Sequence, residues 1–179
     1  QEDPIFISDN SGGGFISWRS YANDPVYGEL YAQYIDSEGN TQWVDKLISG
    51  DSKIRVNSQQ NMCSDREGGV YVTWYADGTA DDGNYYGVHL KADGSAIAPA
   101  KLIDTDNDYG NVSLESAGDG DAVIAWKEGP MYSENIYAQR LQYTSSTINK
   151  LWNDGNPLGV CISDGRQMAP KITYYSDDY

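Results

Sequence analysis

The sequence is poor in the side chains that most often carry chemistry. It holds one histidine, His89, and two cysteines, Cys63 and Cys161, among 179 residues. A single His with no Cys near it excludes a His-based catalytic triad and a conventional zinc site. Two Cys are too few for a disulfide framework. Basic residues are also scarce: 12 Lys and Arg against 27 Asp and Glu give a formal charge of −15. Such a surface repels phosphate backbones and anionic headgroups, which disfavours nucleic acid and membrane surfaces as partners, and neither is expected. No apolar run is long enough to cross a bilayer as a helix, so no membrane insertion is expected. No segment places apolar residues at i, i+3, i+4 and i+7, which removes the amphipathic helix.

What is abundant points one way. Fifteen Tyr, five Trp and nineteen Gly, set among many Asp, Asn and Ser, describe short strands joined by tight turns. The expected class is all-β. Each Gly cluster leads into an alternating strand rather than a helix, so none is a phosphate-binding loop.

The strands repeat. Gly-Gly-Gly-Phe-Ile-Ser-Trp at 12–18 returns as Gly-Gly-Val-Tyr-Val-Thr-Trp at 68–74 and Gly-Asp-Ala-Val-Ile-Ala-Trp at 120–126. Trp18, Trp74 and Trp126 anchor three copies about fifty residues long. After a variable polar loop, Glu-Leu-Tyr-Ala-Gln-Tyr-Ile at 29–35 matches Asn-Ile-Tyr-Ala-Gln-Arg-Leu at 135–141, with a degenerate middle copy, Asn-Tyr-Tyr-Gly-Val-His-Leu, at 84–90. Hairpin turns follow at Asp36–Gly39 and Lys91–Gly94, replaced by Thr- and Ser-rich residues at Tyr143–Thr147. A fourth strand is expected through Trp43 and Trp152, reaching Lys46–Ser49, Lys101–Asp104 and Val160–Ser163. Upstream of each Trp, alignment superposes Phe6, Met62 and Leu114, and likewise Ser8, Ser64 and Ser116.

Four antiparallel strands per unit describe β-propeller blades. The units run about 1–58, 59–108 and 109–166, with the first strand of a fourth at 167–179, where Gln167–Ile172 resembles Gln1–Phe6. A blade cannot bury both faces alone, so the recurring Trp and Tyr are expected to pack blade against blade. Three units and one strand are fewer than a closed ring needs. The remaining blades of a larger chain, or copies of this one, are the expected neighbours. The opening Gln1, rather than Met, fits a cleaved signal peptide, a proteolytic product or a fragment.

The combination of Pro-x-Ile, a Gly pair before a strand ending in Trp, Tyr-Ala-Gln-Arg-Leu and Trp-Asn-Asp-Gly resembles a bacterial repeat. That repeat occurs in secreted and cell-surface β-propellers, often in large proteins bearing adhesion modules. The resemblance implies an extracellular or cell-surface location and says little about activity. The middle copy departs from it, with Val88 in place of Gln33 and Gln139, and Ala98 in place of the outer Trp. The turn Ser64–Gly69 does not reproduce the Ser-x-Asp-x-Gly-x-Thr-Trp of sialidase-type propellers, so no glycosidase site is carried over.

Candidate chemistry is correspondingly sparse. Asp104, Asp106 and Asp108 alternate in an inter-unit loop and could converge on Ca²⁺, the one cofactor the sequence suggests. Tyr109 stands where an EF-hand requires Gly, so this is not an EF-hand. The loops 19–26, 77–83 and 127–134 vary while their flanking strands repeat, as a binding face would, and Tyr21, Tyr75, Met131 and Tyr132 could stack on sugars or peptides. His89 is expected on an exposed strand face. Cys63 and Cys161 are expected as two buried thiols, too distant to bridge. Carboxylate pairs are so numerous that none marks a catalytic site, and no catalytic residue is assigned. The leading functional expectation is a non-catalytic extracellular scaffold or recognition module for a protein or glycan ligand. A polysaccharide-acting hydrolase or lyase and a structural filament subunit are the alternatives.

Overall fold

A computed structural model describes residues 2–23, 26–50, 54–55, 59–76, 83–104 and 110–175. Three antiparallel meanders follow one another along the chain. The first contains β1 (Glu2–Ser8), β2 (Gly14–Ser20), β3 (Tyr27–Ile35), β4 (Lys46–Leu47) and β5 (Ile54–Arg55), the last two both pairing with β3. The second is β6 (Gln60–Ser64), β7 (Gly69–Ala76), β8 (Asn84–Lys91) and β9 (Ala100–Asp104). The third is β10 (Gly110–Gly118), β11 (Asp121–Glu128), β12 (Asn135–Tyr143) and β13 (Ile148–Lys150), with β14 (Leu158–Cys161) also on β12. The fold is therefore all-β; the one helical element among the described residues is a 3₁₀ turn at Trp152–Gly155.

Registers repeat with the sequence. Phe6 pairs with Ile16, Met62 with Val72 and Leu114 with Ile124. Trp18, Trp74 and Trp126 lie opposite Tyr31, Tyr86 and Tyr137. Each such pair stacks in an offset, near-parallel way, at 6.1, 6.3 and 6.1 Å between centroids.

The three aligned serines have one job. Ser8, Ser64 and Ser116 each accept a hydrogen bond through Oγ from the backbone N–H two residues on, at Asn10, Arg66 and Gly118. Those three acceptor-bound residues all have left-handed φ, of 62°, 65° and 79°. A short hydroxyl offers the chain a local partner as it turns, which is why Ser recurs there.

The sheets pack side by side, with β6 lying between β1 and β10. Ser17 Oγ donates to Gln60 Oε1 at 3.1 Å across the first junction, and Tyr71 Oη donates to the Gly120 carbonyl at 2.8 Å across the second. Trp74 and Trp126 sit in these junctions and are buried, joining one continuous core with Phe15, Leu30, Ile48, Tyr71, Leu90, Ile103, Ile124 and Leu141.

Four details differ from the sequence reading. The outer strand breaks where Trp43 and Trp152 stand: neither is in a ladder, and Asn153 and Asp154 turn left-handed. Instead Gln139 reaches out of β12, donating from Nε2 to the carbonyls of Trp152 and Asn156 while Trp152 N donates to its Oε1. Gln33 holds both main-chain groups of Trp43 in the same way. His89 is buried rather than exposed, because its ring is sandwiched by the second junction. Cys161 is exposed on the edge strand β14, whereas Cys63 is buried. Residues 167–175 form no strand, since no second strand of a fourth unit pairs with them among the described residues. They nevertheless lie against β10, where Ile172 N donates to Ser113 Oγ at 3.1 Å.

Candidate recognition face

The starts of β1 and β6 meet at Gln60, whose Nε2 donates to the Asp3 carbonyl, and the Gly-rich turns of the second and third sheets meet where Arg66 Nε donates to Ser116 Oγ at 3.2 Å. All three meanders thus point the same way. The ends of β2, β7 and β11 and the starts of β3, β8 and β12 share one end of the array, and the Gly-rich turns share the other; residues 24–25 and 77–82 of the intervening loops lie outside the described residues.

The four loop residues fall into two classes. Tyr21 is half-buried beneath the Arg19 guanidinium, 6.0 Å from its ring centroid, and the ring fills the space where Gly28 lacks a Cβ. Its hydroxyl is buried without a hydrogen-bond partner, and burial pushes the phenol up despite the opposing pull of Arg19. Tyr75 packs against Tyr85 at 5.3 Å. These two are packing residues first. Met131 and Tyr132 are presented outward, 59% and 67% exposed. Tyr132 has φ +75°, and the Arg166 guanidinium stands 5.6 Å from its ring centroid.

Beneath Tyr132 lies a cluster that sequence reasoning missed. Glu134 is fully buried, and its Oε1 takes Nε of Arg166 at 3.0 Å and Nζ of the buried Lys127 at 3.4 Å. Burial works to raise this carboxyl. Its own backbone amide, the Lys127 ammonium and the Arg166 guanidinium outweigh that effect and leave it below the ordinary value. Its Oε2 is buried without a partner. Arg166 belongs to the segment after β14, far along the chain from Lys127, so no spacing in the sequence announces the cluster.

The second missed cluster surrounds His89. Its Nε2 is 2.8 Å from Asp65 Oδ2, its ring stacks on Tyr143 at 4.1 Å, and Tyr71 meets it edge-on at 4.9 Å. Burial raises the Asp65 carboxyl, but His89 and the Gly69 and Glu67 amides more than offset this and its net position is low. Asp65, His89 and Tyr71 are buried in the second junction, and Tyr143 is half-buried.

Asp104 closes β9, whereas Asp106 and Asp108 lie outside the described residues. Among the described residues no group of three or more His, Cys, Asp or Glu side chains could hold a metal, and no helix is long and apolar enough to cross a membrane. Two cavities lie among the described residues. One of about 330 Å³ is lined by Glu2, Pro4, Ile16, Trp18 and Asp45 on the open face of the first sheet. One of about 160 Å³ lies between the second and third sheets, around Leu102, Trp126 and Lys150. No family model matches the chain, and comparison with curated proteins finds no significant match.

Proposed function

We propose that the three meanders are blades of a β-propeller and that the chain is a non-catalytic recognition module at the cell surface or in the extracellular space. It binds a protein or glycan ligand through the face bearing the β2–β3, β7–β8 and β11–β12 loops. The observation that carries this reading is the outward presentation of Tyr132 and Met131 on a rigid base. A solvent-facing aromatic ring is a stacking platform, and the buried Glu134 cluster fixes Arg166 beside it. The resemblance to secreted bacterial repeats and the charge of −15 support the location. Asp104, Asp106 and Asp108 are the proposed Ca²⁺ ligands, stiffening the loop between the second and third blades.

Glycan-array and immobilised-polysaccharide binding test the reading. Binding without release of new reducing ends is expected, weakened about tenfold in Tyr132→Ala, the equivalent of roughly 1.4 kcal/mol. Turnover of the glycan, or binding indifferent to both Tyr132→Ala and Met131→Ala, would overturn it. For calcium, chelation is expected to lower the melting temperature of the wild type but not of Asp106→Asn.

A further inference from the structure

The two junctions within the chain define what a mated face looks like, and among the described residues the first and third sheets each carry one face that is not mated. Trp74 and Trp126 are covered by the preceding sheet, but Trp18, at the same register, is half-buried and lines the open cavity of about 330 Å³. At the opposite end, Ile48 and Ile103 are each 3% exposed beneath the following sheet, while Ile162, which aligns with them, is 58% exposed. Leu158 and Val160 accompany it at the surface.

A second contact fits the same pattern. At the first junction, Trp43 lies on the hairpin of the next sheet. Its Nε1 donates to the Ala92 carbonyl at 3.1 Å, and its ring stands 3.1 Å from where a Cβ on Gly94 would be. Gly94 is therefore required twice, by its φ of +80° and by the Trp against it. The second junction lacks both partners together: Ala98 replaces the Trp, and Tyr143–Thr147 replaces the Gly hairpin. The third and first sheets hold an unmatched set. Trp152 is held by Gln139 as Trp43 is by Gln33, and Gly39, with φ +85°, has nothing within 4 Å of a Cβ position.

We infer that the Trp18 face is an interface for a second copy of this chain, which seats its third sheet there, head to tail. Ile162 would then lie under the Trp18 face, and Trp152 would lie on the Gly39 hairpin as Trp43 lies on Gly94. A heterologous contact of this kind closes into a ring or extends as a filament. The argument is independent of any ligand at the loop face. Residues 167–175 occupy the place of the incoming first strand. Ala169 and Asp3, each preceding a Pro, share a left-handed φ of 53° and 49°. The segment competes with β1 of the arriving copy, and one of the two must leave. Because each copy carries −15, association strengthens as salt screens the repulsion.

Sedimentation velocity across a wide range of concentration tests the proposal on the full chain. Species of rising mass are expected, in steps of the 19.8 kDa monomer, favoured by salt. Trp18→Asp and Ile162→Asp should each remain monomeric and folded, since neither residue is in the core. Mixed together, they should form dimers and stop, because each retains the face the other lacks. Removing residues 168–179 should shift assembly to lower concentration. A wild-type chain that stays monomeric throughout, an Ile162→Asp variant that assembles normally, or a mixture that forms nothing overturns the proposal.

Discussion

The side-chain amide of Gln139 spans the main chain of Trp152, accepting from its N–H at 2.7 Å and donating to its carbonyl at 3.1 Å. Gln33 does the same for Trp43. A side-chain amide has the donor and acceptor of a peptide group, so it replaces the ladder bonds that the outer strand gives up when it swings away. In the second sheet Val88 stands at the Gln position, and the outer Trp is absent too. The two departures are one event: without the amide there is nothing to hold the excursion that carries the Trp.

Gln139→Ala should therefore cost about 1 kcal/mol, the net worth of hydrogen bonds to half-buried and exposed backbone groups. In a Trp152→Ala background the same change should cost less, because the two residues act as a pair. Urea midpoints at constant slope measure both. Strict additivity of the two substitutions would refute the coupling.

The fold was legible because its two strongest signals are local. Alternation and the Gly-rich turn before each Trp set strands, registers and the repeat, and the aligned Ser marked a turn whose geometry recurs three times. The parts that were not legible depend on what crosses a junction. His89 aligns with Tyr34 and Arg140, a set that reads as a tolerant surface position. Yet all three reach a carboxylate at the base of the Gly-rich turn, Tyr34 to Asp9, His89 to Asp65 and Arg140 to Asp121. Only the identity of the donor varies, so side-chain type concealed a constant contact. Cys161 failed in the opposite sense: it lies on β14, whose four residues are all exposed, with no strand beyond it among the described residues. At the loop face, the sequence located the exposed Met131 and Tyr132, but not the Glu134 cluster assembled from distant segments.

Stacking of sheets predicts unequal costs for equivalent tryptophans. Trp74→Ala empties a fully buried site and should cost about 3–5 kcal/mol. Trp18→Ala, at the open face, should cost less than half as much when measured on the monomer by urea denaturation. Equal costs would mean that the sheets do not shelter one another.

Asp9 should govern stability in acid. The Tyr34 hydroxyl is the chief influence on its carboxyl, helped by Ser11 and against a smaller effect of burial, and together they hold it at about 2 against an ordinary 3.8. A depressed carboxyl stabilises the fold fully above its unfolded value, and the contribution fades as pH falls from about 3.8 towards 2. Asp9→Asn should remove this part of the acid dependence, and Tyr34→Phe should move it upward in pH. Melting temperatures across pH 2 to 5 should separate the variants from wild type; curves of identical shape would rule the Tyr34 contact out as the cause.

The thiols should separate cleanly in a native titration. Cys161 sits on the exposed edge strand β14, whereas burial, reinforced by Glu115 and Asp65, pushes the Cys63 thiol far up and keeps it protonated. A disulfide reagent should modify one equivalent in the folded protein and the second only on unfolding. Assembly through the Ile162 face would protect Cys161 as well, so its reactivity should fall with concentration in the wild type and not in Ile162→Asp. Two equivalents reacting at once in the folded chain would show that the second junction does not close over Cys63.

Among the three turn contacts, the third is built backwards, and this makes it the most informative to break. In the first two sheets the carboxylate follows the Ser, at Asp9 and Asp65, and a Gly stands at the aligned position: a Cβ on Gly69 would stand 2.5 Å from Asp65 Oδ2, and one on Gly13 would stand 3.0 Å from the Tyr34 hydroxyl that Asp9 binds. In the third sheet Ala117 follows the Ser, and Asp121 takes the Gly position and meets Arg140 Nε at 2.7 Å. Either arrangement fills the same space with one carboxylate, and two would collide there. Arg140→Leu should cost about 2 kcal/mol, less than breaking a fully buried pair because Arg140 is about one-third open to solvent. Gly69→Asp should be far worse than the ordinary cost of a glycine substitution, since it drives a second carboxylate against Asp65. Adding Asp65→Ala to it should recover much of the loss by recreating the arrangement of the third sheet. Thermal denaturation of the single and double variants decides it; a double variant no more stable than Gly69→Asp would mean that the two positions do not share one site.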